Sequence, residues 1–300
     1  MTVAAVIVTY NRKELLLENL EMLFKQTYFI NKIIIIDNHS SDGTREAVYS
    51  KYADKMERIQ YEFLKENIGG AGGFEFGCKY SYNHGYDFVW LMDDDGKPKD
   101  KNTLSELIKI ANSRENKFLI INSLVTEDSI NLSFGLRTRK DSIKSIRENS
   151  VNGIYENAIN PFNGTLVSKD VFEKIGFPNG QFFIKGDEND FTNRARTAGV
   201  YIATIVNSIY LHPAEQLTQR KILGKKIVAN IEAPWKEYYK MRNYTYMKNR
   251  DYGFLKGFMD FLKAIVKVMV SDGKKLEVIW MILRGFRDGC KGNLGPTVKP

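Results

Sequence analysis

Cysteine is scarce: Cys78 and Cys290 are the two in 300 residues, which gives no disulfide framework, and neither sits at metal-ligand spacing. A reducing compartment is the expected setting. Long apolar runs are missing as well, since no stretch of about 18 apolar residues occurs, and this argues against a membrane-spanning helix. The chain opens on a strand-like Val3-Ala-Ala-Val-Ile-Val8 with no charged leader and no cleavage site, so no signal peptide is expected. Low-complexity tracts and internal repeats are absent, and 43% hydrophobic with 27% charged residues is the composition of an ordinary globular chain. Three hundred residues suffice for one large α/β domain or for a domain with an appendage.

Acidic residues run short toward the C-terminus. Residues 221–300 hold 17 Lys and Arg against 7 Asp and Glu, a net of +10, while residues 1–220 carry 27 against 29, a net of −2. The expected division is therefore a near-neutral body, 1–220, followed by a basic region, 221–300. The basic region suits an anionic partner, either nucleic acid or a membrane surface.

What is present in the first half is a regular alternation. Val3–Thr9, Lys32–Asp37, Ile59–Leu64 and Phe88–Met92 read as buried strands. Between them Lys13–Lys25, Thr44–Tyr52 and a glycine-led stretch to about Asn83 read as helices. This order predicts an α/β fold with a doubly wound, mostly parallel sheet. Further on, Thr103–Ala111 reads as a helix, Phe118–Val125 as a strand and 126–157 as a polar excursion. Helix Lys169–Ile175 is stopped by Gly176 and Pro178, Tyr201–Val206 reads as a last strand, and the chain looks helical from about Ala233.

The fourth strand runs straight into Asp93, Asp94 and Asp95. Three adjacent carboxylates repel, and burying them unpaired is costly, so a cation should neutralise them. All-oxygen ligands suit magnesium or manganese. A solvated acidic turn is the plainer account of two aspartates, but this strand is apolar on both faces, as a central strand of a covered sheet is. The carboxyl end of such a strand is where open α/β sheets hold ligands.

Other polar groups share that edge. Thr9-Tyr10-Asn11-Arg12 ends the first strand and Asp37-Asn38 the second, placing groups for a base, a ribose and a phosphate. Helix capping and turn-making account equally well for each alone. Asn67-Ile-Gly-Gly70-Ala-Gly-Gly-Phe74 is a glycine-rich turn into a helix, which lets backbone amides approach a phosphate, although tight packing explains glycines too. Asp187 and Glu188 follow the aromatic run Phe182-Phe183, and a carboxylate beside an apolar wall is tuned toward general-base work. Helix-dipole stabilisation alone covers Asp190. His212, one of three histidines, follows a strand-like run and could return to the carboxyl edge to complete a metal site.

Taken together, Thr9-Tyr10-Asn11-Arg12, Ile36-Asp37-Asn38 with Ser41-Asp-Gly-Thr44, the Asn67 turn, Asp93–Asp95 and Asp187-Glu188 resemble family 2 glycosyltransferases of the GT-A fold. The likeness spans roughly residues 3–213, and the glycine-rich turn with Trp90-Leu-Met-Asp-Asp-Asp95 looks most like bacterial galactofuranosyltransferases and rhamnosyltransferases of surface-polysaccharide synthesis. The resemblance implies an inverting, metal-dependent transferase. Thr9, Tyr10, Asn11, Asp37, Asn67 and Gly70 would bind the nucleotide-sugar, with Arg12 nearby. Asp93 and Asp95 would hold Mn2+ or Mg2+ with His212 as third ligand, and Asp94 would lie near the ribose or donor sugar. Glu188 would be the base, with Asp187 orienting the acceptor. Many relatives have Asp where this chain has Glu188, so Asp187 could take the base role. UDP-galactofuranose is the favoured donor, dTDP-rhamnose the next, and the acceptor a glycan or lipid-linked oligosaccharide at the cytoplasmic face of the membrane.

The basic region contains Phe254–Val270, with Phe254, Phe258, Phe261, Ile265 and Val268 at helical spacing and Lys256, Lys263 and Lys267 on another stripe. A second segment carries Trp280, Leu283 and Phe286. Two accounts compete: packing on the body or on a second copy, and an interfacial surface on an anionic leaflet, which the local charge favours. A glycoside hydrolase would not need the nucleotide-like edge. The rival classes are a metal-dependent nucleotidyltransferase and a nucleic-acid-binding protein using the basic tail, and no nucleic-acid partner is expected.

Overall fold

The apolar strands assemble as a sheet covered on both faces. The computed structural model describes all residues except 129, 139, 215–218, 223–224, 229–230, 272–274 and 300. Its elements in chain order are β1 (Val3–Thr9), α1 (Lys13–Phe24), β2 (Lys32–Asp37), α2 (Thr44–Lys51), β3 (Ile59–Phe63), α3 (Gly69–Asn83), β4 (Phe88–Asp93) and β5 (Lys97–Pro98). Then follow α4 (Thr103–Asn112), β6 (Leu119–Thr126), α5 (Ile143–Glu148), β7 (Ile154–Glu156), β8 (Asn163–Ser168), α6 (Lys169–Ile175), α7 (Asp187–Thr197) and β9 (Tyr201–Leu211). Last come a small antiparallel pair, β10 (Gln219–Ile222) and β11 (Lys225–Val228), and the helices α8 (Pro234–Tyr252), α9 (Phe254–Met269) and α10 (Lys275–Lys291). Met1–Pro178 with Phe191–Glu215 form one compact unit, and Asn179–Asp190 with Gln216–Pro300 a second.

In the first unit the sheet order is β3-β2-β1-β4-β8-β6-β9-β5, with β7 also on β9. The strands β3, β2, β1 and β4 are parallel, as the β-α alternation predicts, and the sheet becomes mixed where β8 runs antiparallel to β4 and β6. Alternate residues of each strand serve opposite faces. Ala5, Ile7, Ile33, Ile35, Trp90 and Met92 pack with Leu16, Leu20 and Leu23 of α1 and Leu104 and Leu107 of α4. Val6, Val8, Ile34, Ile36, Val89 and Leu91 pack with Phe74 and Cys78 of α3 and Phe172 of α6. Glycines let α3 lie flush on β1. A Cβ at Gly73 would come within 2.6 Å of Val8 Cγ1, and one at Gly77 would overlap Val6 Cγ1.

Two features depart from the sequence expectation. The last strand continues five residues past Val206, because its register against β6 jumps from Ser123↔Ile205 to Leu124↔Ile209. The buried polar residue in that bulge is satisfied internally: Ser208 Oγ donates to the Thr103 carbonyl at 2.7 Å and meets Ser123 Oγ at 2.8 Å. The 126–157 excursion is not wholly irregular, for it yields α5 and β7, and Ile143, Ile146 and Tyr155 bury against Leu124 and Val206.

The second unit is mainly three helices. Gly285 and Gly289 of α10 face the backbone of α8 so closely that a Cβ at Gly285 would lie 2.5 Å from the Tyr238 carbonyl oxygen. The aromatic face expected at a membrane interface is occupied otherwise. Phe258, Phe261 and Phe286 pack ring against ring with centroids 4.5–6.1 Å apart, Phe261 stacked on Phe286 and Phe258 tilted against both, while Trp280 is exposed. Large rings bury the most apolar area per contact, so they form the seam between α9 and α10.

Candidate active site

Asp93 ends β4, and the turn that follows is shaped from beneath by a buried tyrosine. The Tyr210 hydroxyl donates to the Asp93 carbonyl at 3.4 Å, and Asn19 Nδ2 donates to the same oxygen at 3.3 Å. A side chain at Gly96 or at Gly164 would meet the Tyr210 ring, so both positions need glycine. Beyond Gly96, the two-residue strand β5 pairs antiparallel with the end of β9, Lys97 opposite Leu211. That pairing sets His212 beside Asp95. Ligand atoms of Asp93, Asp95 and His212 all lie within 4.8 Å of one another.

The donor set fits a divalent cation on two independent observations. His212 Nδ1 faces the Pro213 carbonyl at 2.7 Å, which favours the proton on Nδ1 and turns the Nε2 lone pair toward Asp95. Nε2 stands 3.1 Å from Asp95 Oδ1, an ion-pair distance, yet Oδ1 is buried without a hydrogen-bond partner. Two carboxylates and one imidazole, with room for substrate oxygens, suit manganese or magnesium.

Electrostatics agree. Burial, reinforced by Asp95 and Asp94, pushes the Asp93 carboxyl up to about 7. Burial works to raise Asp95 too, but the neighbouring His212 and Arg12 hold it below its ordinary value. Burial alone would lower His212, and Asp95 overrides it, so the imidazole titrates above its usual range. Asp94 is raised by burial despite the opposing pull of Arg12 and Thr9.

Asp94 turns toward β1. Its Oδ2 accepts from the Thr9 hydroxyl at 2.8 Å and the Tyr10 amide at 3.3 Å, and its Oδ1 from Arg12 at 2.9 Å. Arg12 also reaches Asp95 Oδ2 at 2.6 Å, so one guanidinium joins two of the three aspartates. Neither Thr9 nor Asn11 caps α1. Asn11, at φ 52°, instead accepts from the Ser41 amide at 2.7 Å, and Asp42 Oδ2 takes the first amide of α1, that of Lys13, at 3.1 Å. Asp37 is fully buried and accepts from the Ser40 amide at 2.7 Å and from the Tyr61 hydroxyl. Asn38 holds the glycine-rich turn through Ile68 N–H and the Gly69 carbonyl, both at 3.2 Å, and Asn67 accepts from the Gly69 amide at 2.8 Å. Gly70 faces open space, unlike Gly73 and Gly77. Thr9, Tyr10, Arg12, Asp94, Asp95 and His212 thus form one cluster, and the same unit holds Asn11 in the loop after β1, Asp37 at the end of β2, Asn67 before α3 and Gly70 in the first turn of α3.

Asp187 and Glu188 open α7 and belong to the second unit. Gly186, at φ +93°, makes the entry turn, and its amide donates to Glu188 Oε2 at 3.0 Å. Asn189 Nδ2 bridges Glu188 Oε1 at 2.8 Å and the Tyr244 hydroxyl at 3.0 Å. Asp190 does more than favour a helix dipole, for it is buried and accepts from Arg250 at 2.7 Å.

Sequence reasoning missed the clamp that holds this turn. Arg242 and Asn243 are fully buried on α8. Arg242 donates to the carbonyls of Gln181 and Phe182 at 3.1 and 3.0 Å, and Asn243 Nδ2 to those of Phe182, Ile184 and Lys185 at 2.8–3.0 Å. Both side chains are thus bound to backbone carbonyls. A charged and an amide residue adjacent in an aromatic helix was the available signal.

Residues 4–176 match the family described as Glycosyl transferase family 2. The chain is 28% identical over 252 residues to galactofuranosyltransferase GlfT1 of Mycolicibacterium smegmatis, covering 82% of each chain. It is 30% identical over 253 residues to the protein of the same name from Mycobacterium tuberculosis, again 82% of each. With the dTDP-rhamnosyl transferase RfbF of Shigella flexneri it shares 22% identity over 97% of this chain and 96% of that one. Among solved structures, GalNAc-T7 with UDP, GalNAc and Mn2+ superposes with a TM-score of 0.64 at 13% identity, over 97% of this chain and 56% of that one. The mannosyltransferase PcManGT of Pyrobaculum calidifontis with GDP-Man and Mn2+ gives 0.54 at 14%, over 96% and 73%. These structural likenesses show the fold, which is GT-A. The glycine-led α3, the acidic end of β4 and the matched span together make this chain a member of glycosyl transferase family 2 and a hexosyltransferase.

Proposed function

We propose that the protein moves a sugar from a nucleotide-diphosphate donor to a hydroxyl of a glycan or lipid-linked acceptor, with inversion, in surface-polysaccharide synthesis at the inner face of the cell membrane. The observation that carries this reading is the convergence of Asp93, Asp95 and His212 at the carboxyl edge of a nucleotide-binding type of sheet. UDP-galactofuranose is the favoured donor and dTDP-rhamnose the next, supported by the likeness to relatives named for those sugars.

Thr9, Tyr10, Asn11, Asp37, Asn67 and Gly70 bind the nucleotide, and Arg12 keeps a positive charge near the diphosphate. Asp93, Asp95 and His212 hold the divalent cation, and Asp94 fixes the β1 loop while bordering the ribose. When bound, the cation offsets charge on the departing diphosphate. Glu188 takes the acceptor hydroxyl proton as its oxygen bonds to the anomeric carbon and the carbon–phosphate oxygen bond breaks. Attack opposite the leaving group inverts the centre. Asp187 orients the acceptor.

The test is product analysis. Purified protein with Mn2+, either donor and a panel of glycoside acceptors should release nucleoside diphosphate, whereas a nucleotidyltransferase would release pyrophosphate. Glu188→Gln should retain donor affinity and lose roughly 10²-fold or more in turnover. If Asp187→Asn is inactive while Glu188→Gln stays fast, the two carboxylates exchange roles.

A further inference from the structure

Helix α9 is apolar on two faces, and one of them suffices to hold it in place. Phe261, Ala264, Ile265 and Val268 pack with Val278, Ile282 and Phe286 of α10 and Met241 of α8. The other face carries Leu255, Met259, Leu262, Val266 and Met269, alternately four and three residues apart. These five are 72, 46, 41, 59 and 62% exposed. Helix α10 repeats the pattern with Leu276, Trp280 and Leu283 at 85, 57 and 48%. Single exposed apolar residues are ordinary, but continuous stripes at helical spacing mark a binding surface.

We propose that the α9 and α10 stripes lie on an anionic lipid bilayer, with both helices in the plane of the interface. Exposed Lys256 and Lys263 flank the stripe of α9, and Lys275 and Arg287 that of α10. The region 221–300 carries a net +10. Anionic headgroups attract each such residue, whereas a second copy of this chain would set two strongly basic surfaces against each other. Among the described residues no helix is long and apolar enough to cross a membrane, so these helices rest on the bilayer. The surface serves the proposed lipid-linked acceptor, but docking does not depend on that reading and is measured apart from catalysis.

Vesicle flotation decides the matter, using phosphatidylcholine alone and phosphatidylcholine with about 30% phosphatidylglycerol, at roughly 50 and 300 mM salt. Wild type should float with the anionic vesicles at low salt and release at high salt. Leu262→Ser with Val266→Ser, both at exposed positions, should reduce the bound fraction at least tenfold while thermal melting stays unchanged. Lys256→Glu with Lys263→Glu should do the same at low salt. The proposal is overturned if wild type ignores anionic vesicles, or if the double serine variant still floats. It is equally overturned if light scattering finds a dimer that the serine variant dissolves, since the stripes would then join two copies.

Discussion

Asp93 makes metal binding a pH-dependent stability measurement. Its folded pKa of about 7 exceeds the ordinary 3.8 of an unfolded chain. Without metal, the stability this group contributes is therefore fully present below pH 3.8 and lost as pH rises toward 7. His212, raised by Asp95, acts in the same direction above its ordinary 6.5. A cation reverses the trend, because it needs both groups without their protons. With a pKa near 7, Asp93 is about three-quarters ionised at pH 7.5 and about 3% ionised at pH 5.5, so affinity falls about 25-fold from this residue alone. At a Mn2+ concentration about 100 times Kd at pH 7.5, stabilisation is about 2.7 kcal/mol. At pH 5.5 the same concentration is about four times Kd and gives about 1 kcal/mol. With about 2–4 °C per kcal/mol, Tm should rise by roughly 5–10 °C at the higher pH and by a few degrees at the lower. Scanning fluorimetry with Mn2+ against EDTA at both pH values reads this directly, with Asp95→Ala as a control that folds but loses most of the shift and most of the activity. An equal shift at both pH values, or an undiminished shift in Asp95→Ala, would refute the assignment.

Two further predictions test how the fold positions its residues. Gly77→Ala drives a methyl into Val6 and should cost about 1–3 kcal/mol in chemical denaturation, whereas Gly70→Ala, with nothing within 4 Å, should cost nothing. Val6→Ala should recover part of the Gly77→Ala loss if the overlap is the cause. Arg242→Met removes the charged donor from the carbonyls of Gln181 and Phe182, which keep the Gly295 amide and Asn243 Nδ2 respectively; each lost bond should cost about 1.5–3 kcal/mol, and amide hydrogen exchange should accelerate across residues 180–190.

The sequence by itself determined the elements whose signals are local. The buried strands Val3–Thr9 and Lys32–Asp37 show in short unbroken apolar runs, rich in valine and isoleucine, and the acidic end of β4 in three adjacent carboxylates that demand a counter-charge. The pairing of Asp95 with His212 was open in sequence, since 117 positions separate them and a lone histidine carries no partner in its neighbours. Tertiary structure decided it, through a two-residue strand and a bulge in β9 that no periodicity records. The same holds for Arg242 and Asn243, whose carbonyl partners lie about sixty residues upstream. Helix α9 shows the limit most plainly. Its composition announces an amphipathic helix, but a helix apolar on two faces has two ways to turn, and only packing against α10 selects which face is covered and which is left for a partner.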